Sequence, residues 1–291
     1  MVIDAECVLE AAATLGEGAA WCDRTQTLYW VDIQAPALHR FDPSTGRDRS
    51  WLMPEPIGTV ALGRDSRVVV ALASGLAWFD PDSERLDRFL PIEADQPATR
   101  LNDGRCDHQG RLWVGSMGRG TQEPIGTLFR CTAETAAPVL TGIKVPNCTA
   151  FSPDGRRMYF TDTPTRVVRA FDLDADTGAL TNERQFADFS SLSGFPDGAT
   201  IDAEGGLWVA HWDGGQVSRF TPDGKLDRSI RVPAPRVTCS AFGGPGLGTL
   251  FITTARTGLS TEALAQAPLS GGIFAARPGV SGLPEPRFGT G

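Results

Sequence analysis

Six apolar runs punctuate the chain at a nearly constant interval. They are LYWVD, VVVAL, LWVGS, MYFTD, LWVAH and LFITT, and they begin at Leu28, Val68, Leu112, Met158, Leu207 and Leu250. Each follows a shorter strand-like run and a turn, and successive runs start 40 to 49 residues apart. A strand-turn-strand unit recurring at that period predicts a β-propeller, one blade per repeat. Turn residues keep the same beat: SPDG at 152–155, DAEGG at 202–206 and TPDG at 221–224 supply Asp and Gly where a tight hairpin needs them. Further out in each repeat, ALHRFDPSTG at 37–46 and VVRAFDLDADTG at 167–178 predict a third strand sandwiched between neighbouring blades. The expected fold is all-β: a six-bladed propeller of four-stranded antiparallel blades, with residues 1–291 forming one domain.

A ring must close without leaving an unpaired edge. Residues about 3–11 are therefore expected to complete the last blade beside GGIFAAR at 271–277, so that the two termini share it. The longest irregular stretches, 88–101, 116–126 and 186–197, lead into or out of the innermost strands and are expected to form the rim of the axial mouth. A closed ring has no obligatory partner edge, which favours a monomer.

Composition narrows the class. The 33 Gly and 21 Pro suit a turn-rich β fold, and a hydrophobic fraction of 41% with seven Trp suffices for a packed core at this length. A net charge of −8, with no basic run, argues against a nucleic-acid partner or an anionic membrane surface. No apolar stretch is long enough to span a bilayer. The N-terminal MVIDAECVLEAAATLGEG lacks the basic start and apolar core of a secretory signal. Six cysteines (Cys7, Cys22, Cys106, Cys131, Cys148 and Cys239) form no CxxC pair and are expected as free thiols, consistent with a cytoplasmic protein.

The repeat also carries chemistry. Ten to twelve positions before each apolar run stand Glu17, Gly58, Asn102, Asn147, Asp197 and Thr238. In a propeller, equivalent positions on the innermost strands converge on the axis. Glu17 and Asp197 bring carboxylates there, and Asn102 and Asn147 bring amide oxygens. Such hard oxygen donors suit calcium first, with magnesium or manganese as alternatives, whereas zinc more often recruits His or Cys. Only three histidines occur (His39, His108 and His211), and no HExxH motif. A divalent cation would also neutralise two carboxylates that would otherwise repel and hold protons. Each of these residues has a plainer reading: Asn102-Asp103-Gly104 and Asp197-Gly198 are turn-like, and Asn147 could cap its own backbone. The shared register favours the metal reading. Arg100, two residues before Asn102, can hold hydroxyl or carboxylate oxygens of a bound molecule or pair with a rim acid. His211 reads as structural, and Cys148 and Cys239 as small buried hydrophobes.

LGEG at 15–18, RLNDGR at 100–105 followed by Asp107, GRLWVGSM at 110–117, PNC at 146–148 and PDGATIDAEGGLWVA at 196–210 resemble the SMP-30/gluconolactonase/regucalcin family. The tail at 242–275 resembles its bacterial sugar-lactonase branch of xylonolactonases, arabinolactonases and gluconolactonases. The resemblance covers essentially the whole chain. It implies a six-bladed propeller with one divalent cation on the axis, held by Glu17, Asn147 and Asp197, with Arg100 and Asn102 at substrate-binding positions. Calcium is favoured, and ferrous iron, zinc, manganese or magnesium remain open. Animal members carry an acidic pair shortly after the segment matching GSM. Here Gly118, Arg119 and Gly120 follow, so their substrate preference does not carry over.

The expected activity is hydrolysis of a sugar aldonolactone, a small-molecule cyclic ester. The cation would polarise the lactone carbonyl, Asp197 would act as general base or else orient a metal-bound hydroxide, and Arg100 and Asn102 would hold ring hydroxyls. The rival readings are an arylesterase or organophosphatase on the same scaffold, and a non-enzymatic calcium-binding propeller.

Overall fold

The computed structural model describes residues 2–121 and 123–289. Six blades of four antiparallel strands radiate from a common axis, and apart from the N-terminal strands that join the fifth and sixth blades at their outer edges, the first strand of each blade in sequence lies innermost. The inner strands are Gly16–Cys22, Ile57–Leu62, Thr99–Cys106, Pro146–Phe151, Phe195–Ile201 and Val237–Gly243. The six apolar runs form the second strands, from Thr27–Asp32 in the first blade to Thr249–Thr254 in the last. Burial explains the composition of each layer. In the first blade, every residue of the two inner strands is buried, whereas the outermost strand, Arg47–Leu52, is mostly exposed. In this blade the inner strands accordingly read as apolar or small-residue runs interrupted by Glu17, and the outermost strand as charged.

Blades pack face to face through the side chains of their middle strands. Tyr29, Val31 and Leu38 of the first blade meet Val60, Val68 and Val70 of the second in one cluster. Burying one such aliphatic side chain contributes about 1.5–3 kcal/mol. Two buried acids lock the far ends of inner strands. Asp107 accepts from the backbone N–H groups of Gln109 and Arg111, from Arg111 Nε at 2.6 Å and from Trp113 Nε1 at 2.9 Å. Asp202 repeats this with the N–H groups of Glu204 and Gly206, Trp208 Nε1 at 2.8 Å and Arg219 Nε at 2.7 Å. Both carboxylates are fully buried.

Glu6–Leu9 pairs antiparallel with Ile273–Ala276, so the N-terminal strand completes the sixth blade and closes the ring as expected. Residues 3 and 4 depart from that expectation. Val2–Asp4 instead runs parallel to Leu226–Arg231, adding a fifth strand to the fifth blade. The chain crosses between blades at the buried Ala5, whose N–H donates to Arg231 O at 2.9 Å. Two consecutive strands thus staple neighbouring blades.

The C-terminal segment crosses the face opposite the mouth. Gly282 bridges to Asp202 and Phe288 to Gly63. Between them Glu285 enters the axial channel and takes two hydrogen bonds from Arg105 Nη1, at 2.6 and 2.7 Å. The loop residues 92–98, 119–121, 123–125 and 189–194 lie at the other end, where Thr99 and Phe195 begin their strands, and Arg119 N–H donates to Ala98 O between two of these loops. The helical content among the described residues is one short α-helix, Thr261–Gln266, and two 3-10 turns, and no helix is long and apolar enough to cross a membrane.

Candidate functional site

All six inner strands slip register at the same place. The irregularity falls between Glu17 and Ala20, Ile57 and Thr59, Leu101 and Gly104, Asn147 and Ala150, Pro196 and Ala199, and Val237 and Cys239. A β-bulge leaves residues unpaired, sharpens the local twist and re-aims side chains. The turn-like Asn102-Asp103-Gly104 and Asp197-Gly198 are therefore bulged strand, not hairpins. Cys148 occupies the left-handed region at φ +57 directly after Asn147, an uncommon conformation for a non-glycine residue. It is fully buried, and its thiol donates to Asp197 O at 2.9 Å.

The bulges are stitched to one another around the axis. Thr238 Oγ1 donates to Gly16 O between the sixth and first blades. Thr59 Oγ1 donates to Gly104 O at 3.2 Å between the second and third. Asn102 Nδ2 donates to Pro146 O at 3.0 Å and lies 3.4 Å from Asn147 Oδ1. Asn147 Nδ2 donates to Thr163 Oγ1 at 2.8 Å, and that hydroxyl donates to Pro196 O at 2.9 Å. Gly58 fills the second blade's register position for a steric reason: a Cβ there would lie 2.6 Å from the carbonyl oxygens of Leu101 and Asn102. Its absence lets the third blade's strand approach.

These bonds sort the polar groups by what they leave available. Asn102 spends Nδ2 on the fourth blade, and its Oδ1 accepts from Arg100 Nη1 at 2.7 Å. Asn147 spends Nδ2 on Thr163, so its Oδ1 faces the Asn102 side with only the long 3.4 Å contact. The two asparagines are thus neighbours, and Arg100 is joined to the first of them. Glu17 and Asp197 are buried, and neither enters an ion pair with a basic side chain among the described residues.

Electrostatics places the carboxylates in one field. Burial pushes the Glu17 carboxyl up to about 8, and the nearby Asp103 adds to the rise, while the Gly18 N–H and Arg100 oppose it. Asp197 is held well above the ordinary carboxylate value, first by burial and then by Glu17 and Asp103. Arg100 is drawn down to about 10 by burial, against the pull of Glu17. Mutual influence of this kind requires Glu17, Asp103, Asp197 and Arg100 to share one low-dielectric space. Residues 180 positions apart in sequence thus act on one another electrostatically.

Asp103 was missed by the sequence reading. Strict alternation puts consecutive residues on opposite faces of a strand, so Asn102 and Asp103 could not both serve the axis. The bulge relaxes that rule, and Asp103 Oδ2 accepts from Thr149 N at 2.9 Å across the third and fourth blades. Burial raises its carboxyl too. The Asn-Asp-Gly run, with a glycine permitting the bulge, is the signal that could have found it.

His211 takes no part in the cluster. Nδ1 donates to Ser193 O at 2.7 Å, the ring packs 4.7 Å from Phe189, and burial draws its pKa down to about 4. It is a neutral packing residue, as expected. All six cysteines are free; Cys7 is half-buried and the other five are buried.

A cation fits this donor set. The cluster concentrates buried negative charge with one guanidinium to balance it, and its free acceptors are two carboxylates and an amide oxygen. No group of three or more His, Cys, Asp or Glu side chains is disposed for a metal among the described residues. An ion here would draw on Glu17, Asp197 and Asn147 Oδ1, an oxygen-only set of mixed charge.

Comparison with known proteins agrees with this architecture. A family model described as SMP-30/Gluconolactonase/LRE-like region matches residues 15–256. The L-arabinolactonase of Azospirillum brasilense is 40% identical over 280 residues, covering 94% of this chain and 92% of that protein. The 6-deoxy-6-sulfogluconolactonase of Pseudomonas putida is 40% identical over 286 residues, covering 97% and 98%. Among solved structures, a calcium-binding protein, regucalcin, from Agrobacterium tumefaciens superposes with a TM-score of 0.95 at 32% identity, covering 99% of each chain.

Proposed function

Because the chain belongs to the SMP-30/gluconolactonase/LRE-like family, we propose that it is a sugar lactonase that hydrolyses an aldonolactone to the aldonic acid at the axial site, with a divalent cation, calcium in the first instance, held by Glu17, Asn147 and Asp197. The observation that carries this reading is the Arg100–Asn102 pair set beside carboxylates that have no basic partner among the described residues. Relatives 40% identical over nearly their whole length are sugar lactonases, which supports the same substrate class.

Ring opening requires water to add to the lactone carbonyl and to lose a proton. Asp197 is the carboxylate we assign to accept it: burial first, and then Glu17 and Asp103, raise its affinity for a proton, and with a cation bound it would stay ionised and able to take one. Arg100 stays cationic at neutral pH and donates to Asn102 Oδ1 through one of its N–H groups, leaving others for hydroxyl or carbonyl oxygens of the sugar. Its contact with Asn102 fixes the guanidinium plane and so the pose of the ring. A bound divalent cation would supply Lewis-acid stabilisation of the negative charge that develops on the carbonyl oxygen. Burial of the cluster keeps bulk water from screening these charges.

Proton release from a panel of arabinono-, xylono- and gluconolactones, with and without chelator, tests the reading. Saturable hydrolysis of at least one lactone, abolished by chelator and restored by a divalent ion, is expected. Hydrolysis of phenyl acetate without lactone hydrolysis would favour the arylesterase reading, and cation binding without any hydrolysis the binding-protein reading.

A further inference from the structure

On the face opposite the mouth, a cavity of about 310 Å³ opens between the first and second blades. Four arginines from four separate segments line it. Arg24 comes from the first hairpin, Arg40 from the strand Ala37–Asp42, Arg67 from the turn before Val68–Leu72, and Arg287 from the C-terminal segment. Two acids, Asp65 and Asp82, share the lining, and Asp65 is engaged by Arg67 Nη2 at 2.7 Å. In a chain of net charge −8, four guanidiniums around one small cavity are a local reversal of sign.

The guanidiniums are anchored rather than loose. Arg24 donates to the carbonyls of Arg64 and Asp65, and Arg287 Nη1 donates to Gly63 O at 2.9 Å while Nη2 reaches Asp23. Arg40 stands 5.7 Å from the Trp51 ring and shares the cavity lining with the Tyr29 hydroxyl, with no carboxylate partner among the described residues. Main-chain carbonyls thus orient Arg24 and Arg287, Asp65 holds Arg67, and Arg40 keeps its N–H groups for a ligand, with the Tyr29 and Thr25 hydroxyls beside them. Planar N–H donors of this kind match the oxygens of a carboxylate or phosphate.

The Cys22 thiol, in the same lining, senses this environment. Burial alone would raise it, but the Thr25 hydroxyl and N–H, the Arg24 N–H and the Arg287 guanidinium together bring it below its ordinary value. We propose that this cavity is a second binding site, separate from the axial one, for a small molecule bearing a phosphate or carboxylate group. The proposal is independent of the lactonase reading.

Cys22 supplies the reporter. Site-resolved mass spectrometry would follow iodoacetamide alkylation of the intact protein in sodium phosphate, in sodium citrate, and in sodium chloride at matched ionic strength. One of the two oxyanions is expected to slow alkylation of Cys22 several-fold and saturably, with Cys7 unaffected. Protection by phosphate assigns the site to phosphorylated ligands, and protection by citrate alone assigns it to carboxylates. Arg40→Gln should abolish the protection while leaving lactone hydrolysis unchanged. Equal protection by chloride, no protection by either oxyanion, or full protection persisting in both Arg40→Gln and Arg287→Gln would overturn the proposal. Calorimetric titration of the same anions into wild type and Arg40→Gln gives a second reading that does not depend on the thiol: heat of binding seen only in wild type supports the site, and its absence from wild type overturns it.

Discussion

The two ends of the inner strands treat buried carboxylates in opposite ways. At the far end, Asp107 and Asp202 have every oxygen occupied: two backbone N–H groups on one oxygen, and an arginine and a tryptophan N–H on the other. At the mouth, Glu17 and Asp197 are comparably buried, yet each lies in the field of other acids with no basic partner among the described residues, and their carboxyls are raised. A buried charge with a full set of partners is a structural lock, and truncating it leaves its partners stranded. A buried charge without them holds free energy that only a ligand or a proton can release. The comparison separates buried acids that are fully partnered from buried acids that are not.

The largest effect is expected from Asp197→Asn. Loss of the proton acceptor should lower lactone turnover by about 10²–10⁴-fold, with the melting temperature unchanged or raised because one desolvated carboxyl is gone. Initial rates and thermal melts on the same sample check both halves, and near-wild-type turnover would remove Asp197 from the mechanism. Asp202→Ala should do the reverse. It strands Trp208 Nε1 and two backbone N–H groups and strips one partner from Arg219, at a cost of about 3 kcal/mol. Urea titration reads that loss, while turnover per folded molecule stays near wild type. A stable Asp202→Ala protein would break the distinction between the two ends.

A smaller effect should appear in pH dependence. In metal-free protein the Glu17 carboxyl keeps its proton up to about 8, against an ordinary 4.5. Over that interval the folded state binds more protons than the unfolded one, so stability present at the acid end is lost as pH rises through the folded value. The melting temperature of chelated protein should fall from about pH 5 to about pH 8.5, and Glu17→Gln should flatten the slope. Adding a divalent ion near neutral pH should release protons into weak buffer, because the ion displaces those held by the acids. A flat profile in wild type would show that the mouth acids are balanced by some other route. Loss of bound ion together with activity in Glu17→Gln would support its place among the ligands.

Much of this was legible before folding. The interval between apolar runs fixes the number of blades, because each blade must bury its faces against two neighbours and cannot do so alone. The register of Glu17, Asn102, Asn147 and Asp197 points to the axis for the same reason. Asp103 was not legible, since its inward placement depends on a bulge that breaks strand alternation. Nor was the parallel strand Val2–Asp4, whose three residues carry too little pattern to declare a partner.

By itself, the chain specified repeat, blade composition and the convergence of oxygen-bearing side chains, all of which follow from local periodicity. Only the assembled ring decided which of those groups are satisfied. Whether a carboxylate meets an arginine, as Asp202 meets Arg219, or lies in the field of another carboxylate, as Asp197 lies in that of Glu17, depends on how the chain assembles in space. Charge pairing is a property of distance in space, and periodicity along the chain does not encode it.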